Sequence, residues 1–152
     1  MVNYRIRPGE TVAKVLAHIQ KAIGDPRVAI APLGESTSEP SAISDVEALS
    51  FQILTRTIRE VVPDAVVAPS LVIAATDSRH YARLTNNIYR FLPLRMGTLD
   101  LGRIHGTDER VSVQNYAEII QFYATLIRNS DALDRAVPWV LQRPRAGLAL
   151  GY

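Results

Sequence analysis

Polar and apolar positions alternate from the second residue onward. Val2, Tyr4 and Ile6 fall on one side, and Asn3, Arg5 and Arg7 on the other. A period of two predicts a half-buried strand over 2–7. The period then changes. Val12, Val15, Leu16, Ile19 and Ile23 recur at helical spacing, between a Pro-Gly-Glu-Thr start and a Gly-Asp-Pro stop. Residues 27–33 read as a second short strand, which completes a β-α-β unit. The polar stretch 34–44 holds a proline and has no periodicity, so it reads as a linker. A helix is expected over 45–61. Ser44 or Asp45 would be its N-cap, and Val46, Leu49, Ile53 and Phe51 or Leu54 its apolar face.

Two apolar runs around Pro69 predict a strand over 65–75, buried on both faces as in an α/β sheet. A short helix over 78–85 and a strand over 87–94 follow, then a loop with three glycines. The helix over 113–129 is strongly amphipathic, with Tyr116, Ile119, Ile120, Tyr123 and Ile127 as its expected buried face. The tail, 131–152, carries two prolines and two glycines and is expected to fray. The expected fold class is α/β. Its parts are a β-α-β piece over 1–33, a linker over 34–44, a partial sheet with flanking helices over 45–130, and the tail. The first strand pattern follows Met1 at once, so the chain is expected to begin inside a larger structure.

Composition narrows the function classes. A length of 152 residues suits one core or two small layers. The net charge of +2 comes from scattered basic residues, which argues against a nucleic-acid partner. No apolar run approaches the roughly 18 residues of a membrane span, and the start lacks the apolar core of a signal peptide. No compartment is assigned. Without cysteine there is no disulfide framework, and any metal would need His, Asp or Glu.

Two turns carry candidate chemistry. Arg79 follows Thr76-Asp77-Ser78 at the carboxyl end of a predicted strand. An Arg there can grip a carboxylate through two parallel hydrogen bonds, or it is a solvated helix charge. His105 sits in a Gly-flanked loop between a strand pattern and a helix. Ligand and catalytic residues often occupy such loops, and so do surface histidines. No second His or Cys stands beside it to make a local metal pair, and Asp108 and Glu109 are expected to cap the following segment. Arg5 lies on the polar face of the first strand; His18 and His80 are read as structural or exposed.

Taken in order, "VNYRIRPGETV", "PSLVIAATDSRHY", "YRFLPL" and "IHGTDERV" form a more specific pattern. Over about 1–130 the chain resembles the C-terminal part of the co-catalytic zinc aminoacylases and carboxypeptidases, the M-twenty metallopeptidases. The likeness is greatest to their Gly-X carboxypeptidase and N-acyl-amino-acid hydrolase branch. The resemblance implies that 1–33 is half of a ferredoxin-like lid domain, and that the chain from about Pro40 is the returning half of a catalytic α/β domain. It implies a zinc-ligand role for His105, carboxylate binding by Arg79 with Thr76 beside it, and a lid-strand role for Arg5. The two turns would then serve one cleft, one holding metal and the other the substrate's carboxylate.

The sequence also departs from that family. It has no His-x-Asp and no adjacent Glu pair, so most zinc ligands and the general base are missing. The expectation is therefore a truncated hydrolase segment, inactive alone and at most a weak zinc binder. Alternatives are one half of a split hydrolase, with the missing N-terminal catalytic half as partner, or a non-catalytic oligomerisation or binding module. An N-acyl amino acid or dipeptide is the expected substrate of the complemented protein. Two strands and one helix leave sheet edges open, so a homo-oligomer, most simply a dimer, is also expected.

Overall fold

Thr11 starts the first helix, α1 (Val12–Ile23), by accepting a hydrogen bond from the Lys14 N–H at 3.2 Å. The Glu39 carboxylate accepts from the Val12 N–H at 3.1 Å, so a second free donor of the first turn is satisfied from 27 residues away. The helix stops at Gly24, whose left-handed φ of 64° lets its N–H reach the Gln20 carbonyl. Val12, Val15, Leu16 and Ile19 are half-buried, as the sequence spacing predicts, while Ile23 stays exposed.

This computed structural model describes residues 1–34 and 37–136; the tail from 137 lies outside the described residues. Two further α-helices follow, α2 (Leu49–Val61) and α3 (Val113–Ala136), with 3-10 turns at Asp77–Arg83 and Leu101–Arg103 between them. The chain forms two units. One holds Met1–Val46 with Pro69–Arg90, the other Glu47–Ala68 with Phe91–Tyr152.

The expected strands do not pair. Among the described residues no segment forms a β-ladder, whether 2–7, 27–33, 65–75 or 87–94. Alternation selects which side chains could share a face; a ladder also needs a neighbouring strand about 4.8 Å away. No described segment supplies one. Side-chain tethers hold residues 87–89 instead. The Ser44 hydroxyl donates to the Ile88 carbonyl at 2.9 Å and accepts from the Ile88 N–H at 2.8 Å. Asn87 Oδ1 accepts from the Asp45 N–H, and the Tyr89 hydroxyl donates to the Asp45 carbonyl.

Those tethers also set where α2 begins. Ser44 or Asp45 is the expected N-cap of a helix beginning at about 45. Both are engaged by residues 87–89, and α2 begins at Leu49 behind Ala48, which makes no side-chain cap bond. The short helix expected over 78–85 is a 3-10 turn over Asp77–Arg83.

In the second unit α2 packs against α3. Among the described residues Ile58 and Phe122 are the buried apolar ones, and the Phe122 ring lies 5.2 Å from Phe91 and 5.3 Å from Tyr123. Thr57 is fully buried, and its hydroxyl accepts from Asn129 Nδ2 at 3.0 Å. The same amide donates to Glu60, and with Arg56 it holds that carboxyl below its ordinary range. At the other end of α3, Asn115 is 3% exposed. Its Oδ1 accepts from the Arg95 N–H, and its Nδ2 donates to the Pro93 carbonyl and to Glu118. Arg95 grips Glu118 with two bonds, at 2.7 and 3.0 Å, and lowers its pKa.

The packed face of α3 differs from the expected one. Asn115, Ile119, Phe122, Leu126 and Asn129 are buried or half-buried. Of the expected face only Ile119 belongs to this set. Tyr116, Ile120, Tyr123 and Ile127 are exposed by 58, 56, 41 and 69%. The helix carries two stripes, and the polar ends of the packed one are buried because hydrogen bonds satisfy them.

Candidate functional site

The Thr-Asp-Ser-Arg turn belongs to the first unit. Asp77 suits the first turn of a helix, and Thr76 ahead of it has an extended backbone, as a cap requires. The Thr76 hydroxyl accepts from the Ser78 N–H at 3.3 Å and bonds the Ser78 hydroxyl. It also lies 3.4 Å from Arg90 Nε. A hydroxyl has one proton and two lone pairs, so these partners use its capacity. Thr76 therefore builds the turn that carries Arg79. Arg79 is exposed, and its Nε donates to His80 Nε2 at 3.4 Å, a long bond that leaves most of the guanidinium fork open to solvent.

Arg5 lies in the same unit and is exposed, outside any helix or ladder. A small cavity of about 30 Å³, lined by Ser41, Ala42, Ala82, Thr85, Asn86, Ile88 and Arg90, has room for roughly one water. It is too small for an acyl amino acid. Any carboxylate would meet Arg79 at an open surface.

His105 belongs to the second unit. Its φ of 62° is left-handed, a region in which His, Asn and Asp are enriched among non-glycine residues. Internal bonds brace the loop around it. Arg103 donates to Asp100 at 2.6 Å and to Asp108 at 3.1 Å. Asp100 also accepts from the Gly97 N–H, which with Arg103 holds its carboxyl below the ordinary range. The His105 N–H donates to the Glu109 carboxylate at 3.1 Å. At Gly106 a Cβ would sit 3.0 Å from the Arg103 carbonyl oxygen, a tight approach that glycine avoids. Asp108 and Glu109 thus lock the loop and do not cap α3; Ser112 takes that part by accepting from the Asn115 N–H.

The imidazole of His105 is exposed, so it is available as one nitrogen donor. A zinc site needs three or four. Among the described residues no group of three or more His, Cys, Asp or Glu could hold a metal ion. The described donors do not by themselves fit zinc.

Sequence reasoning missed three residues. Glu39 caps α1 from a stretch read as linker, Arg103 centres the His105 loop, and Arg90 reaches the Thr76–Ser78 turn. Only Arg90 gave a signal, as a cation inside the run Tyr-Arg-Phe.

No family model matches the chain, and no solved structure matches it. Curated relatives do. The chain is 41% identical over 130 residues, 86% of its length, to the probable carboxypeptidase S-like 2 of Dictyostelium discoideum. It is 41% identical over 138 residues, 90% of its length, to the N-fatty-acyl-amino acid synthase/hydrolase PM20D1 of Mus musculus. The human protein of that name is 40% identical over 131 residues. The chain spans about a quarter of these relatives, covering 25, 27 and 26% of them.

Proposed function

On the premise that this chain belongs to the M-twenty metallopeptidases, as a segment of the carboxypeptidase S-like and N-fatty-acyl-amino acid synthase/hydrolase kind, we propose that it supplies the carboxylate-recognising side of an amide-hydrolysing site. The observation that carries this reading is Arg79. It stands exposed on a turn whose cap and hydroxyls are already paired, with most of its fork unspent. The relatives' names refer to carboxypeptidase or acyl-amino-acid chemistry, and both substrate classes present a free carboxylate next to an amide.

In this reading the zinc acids and the general base come from a segment that also carries His-x-Asp and Glu-Glu. Zinc there would polarise the amide carbonyl and activate water. His105 would add one ligand from this chain, and Arg5 a second cation from the lid side. The α/β sheet, with a ferredoxin-like lid half over 1–33 and a catalytic half over 45–130, is part of the same proposal; the unpaired segments over 2–7 and 87–94 would find their ladders in that larger assembly.

Purified 152-residue chain, supplied with excess zinc, is expected to turn over neither N-acyl amino acids nor dipeptides, and to bind zinc no more tightly than one histidine allows. Calorimetry and a hydrolysis assay check both. Zinc-dependent turnover, or a submicromolar site that His105→Asn removes, would show that the chain assembles ligands of its own.

A second reading, a self-associating module, is favoured by the outer stripe of α3. Val113, Tyr116, Ile120, Tyr123 and Ile127 follow a three-then-four spacing, with exposures from 41 to 89%. That spacing is the seam of helix–helix pairing. At micromolar concentration the chain is expected to sediment as a dimer or larger, and Ile120→Lys with Ile127→Lys to shift it towards 16.8 kDa. A wild-type chain that is already a stable monomer would remove this reading.

A further inference from the structure

The turn that presents Arg79 has little to hold it in place. It is a seven-residue 3-10 helix with no buried residue. Hydrogen bonds in 3-10 geometry are strained, and long runs of it are uncommon. The Arg79 N–H reaches the Thr76 carbonyl at 3.4 Å, at the outer limit of such a bond. Yet a bidentate grip on a carboxylate depends on the direction of the guanidinium plane.

Arg90 meets that need. It is half-buried, and its Nε donates to Ser78 Oγ at 2.7 Å, with Thr76 Oγ1 further off at 3.4 Å. Its Nη2 donates to Ser41 Oγ at 3.0 Å. One planar, permanently charged group therefore ties the two hydroxyls just before Arg79 to Ser41, which lies 49 residues before Arg90 in sequence. A charged donor makes each of these bonds stronger than a neutral one would.

We propose that Arg90 is the positioning residue of the carboxylate site. By clamping Ser78 and Thr76 to Ser41 it fixes the turn from which Arg79 reaches the ligand. Arg90 does not touch the carboxylate; its Nε and Nη2 face the hydroxyls. The inference rests on the reading of Arg79 given above. It gives the hydroxyls of Ser41 and Ser78 a shared purpose, and it explains why a cation is placed inside an otherwise apolar run.

The test uses the 152-residue chain labelled with nitrogen-15, titrated with N-acetylglycine and, as the uncharged control, N-acetylglycinamide. In the wild type the Asp77–Arg83 amides should be as ordered as those of α1, with order parameters of about 0.85, and N-acetylglycine but not N-acetylglycinamide should shift the backbone amide resonances of that turn. Arg90→Lys keeps the charge and loses the fork. It should drop the turn's order parameters towards about 0.6, weaken the acid several-fold, and leave α2 and α3 unchanged. Ser78→Ala removes the shortest bond without touching the cation and should act in the same direction, which covers the case in which Arg90→Lys unfolds its unit. Arg79→Ala should abolish the acid-specific shift with the turn still ordered.

The outcomes separate. If Arg79→Ala leaves the acid response intact, or the wild type gives none, the carboxylate reading fails. A turn still loosened by Arg90→Lys and Ser78→Ala would then keep the clamp without its purpose, and the inference falls too. If Arg79→Ala abolishes the response while Arg90→Lys and Ser78→Ala leave turn order and acid affinity alone, the inference alone is overturned.

Discussion

Phe122→Ala is expected to destabilise the α2–α3 unit by about 3–5 kcal/mol, the usual cost of emptying a packed aromatic site. The side chain is 2% exposed, and its ring contacts Phe91 at 5.2 Å and Tyr123 at 5.3 Å, in tilted and edge-on geometries. Such pairs add to the area they bury. Among the described residues only Ile58 shares full apolar burial, so few neighbours can collapse into the space. A domain with a total stability of roughly 5–15 kcal/mol would lose much of it. Phe91 is 40% exposed, so Phe91→Ala should cost less. Denaturant melts followed by helical circular dichroism would measure both. A loss below about 1 kcal/mol at Phe122 would mean that the unit draws its stability elsewhere.

The second large effect concerns binding. When this chain is joined to a segment carrying the zinc acids, Arg79→Ala is expected to weaken substrates with a free carboxylate by about 10- to 150-fold, or roughly 1.5–3 kcal/mol. The range follows from a charge-assisted, two-pronged contact. Its upper end requires that water be excluded around the pair, because an open surface screens it. The matching amide substrate loses little, having no charge for the fork to meet. Parallel measurements of KM and kcat on the acid and its amide decide the point. Equal losses on both would reduce Arg79 to a structural residue and leave the carboxylate without a recogniser in this chain.

Local signals were legible in the sequence where a local cause sets the structure. The spacing of Val12, Val15, Leu16 and Ile19, with Thr11 before and Gly24 after, gives α1 nearly to the residue. The start of α2 was not legible, because Ser44 is claimed by Ile88, 44 residues away. The packed face of α3 was not legible either. Both of its stripes look apolar enough, and the choice turns on whether buried Asn115 and Asn129 find partners on Pro93, Arg95, Thr57 and Glu60. Strand patterns over 2–7 and 87–94 describe side-chain faces and say nothing of where a ladder partner comes from. At the site, the Thr-Asp-Ser-Arg turn and its Arg79 were readable as a motif. The bonds that brace Thr76 were not, because they come from Ser78 and from Arg90, 14 residues on.

The left-handed backbone at His105 bears on how any residue placed there should be read. Position 105 answers to two separate demands. The main chain asks for a residue at ease at φ of 62°, and glycine and asparagine satisfy that demand at least as well as histidine. The imidazole answers only to whatever needs a nitrogen donor. Asparagine or glycine therefore removes the ring while leaving the Arg103–Asp108 brace and the Glu109 bond their geometry. A valine or isoleucine changes ring and backbone together, and a defect seen with either one says nothing about metal. Histidine at this position, in place of the glycine or asparagine that the fold alone would accept, is the feature that a purely architectural account leaves over.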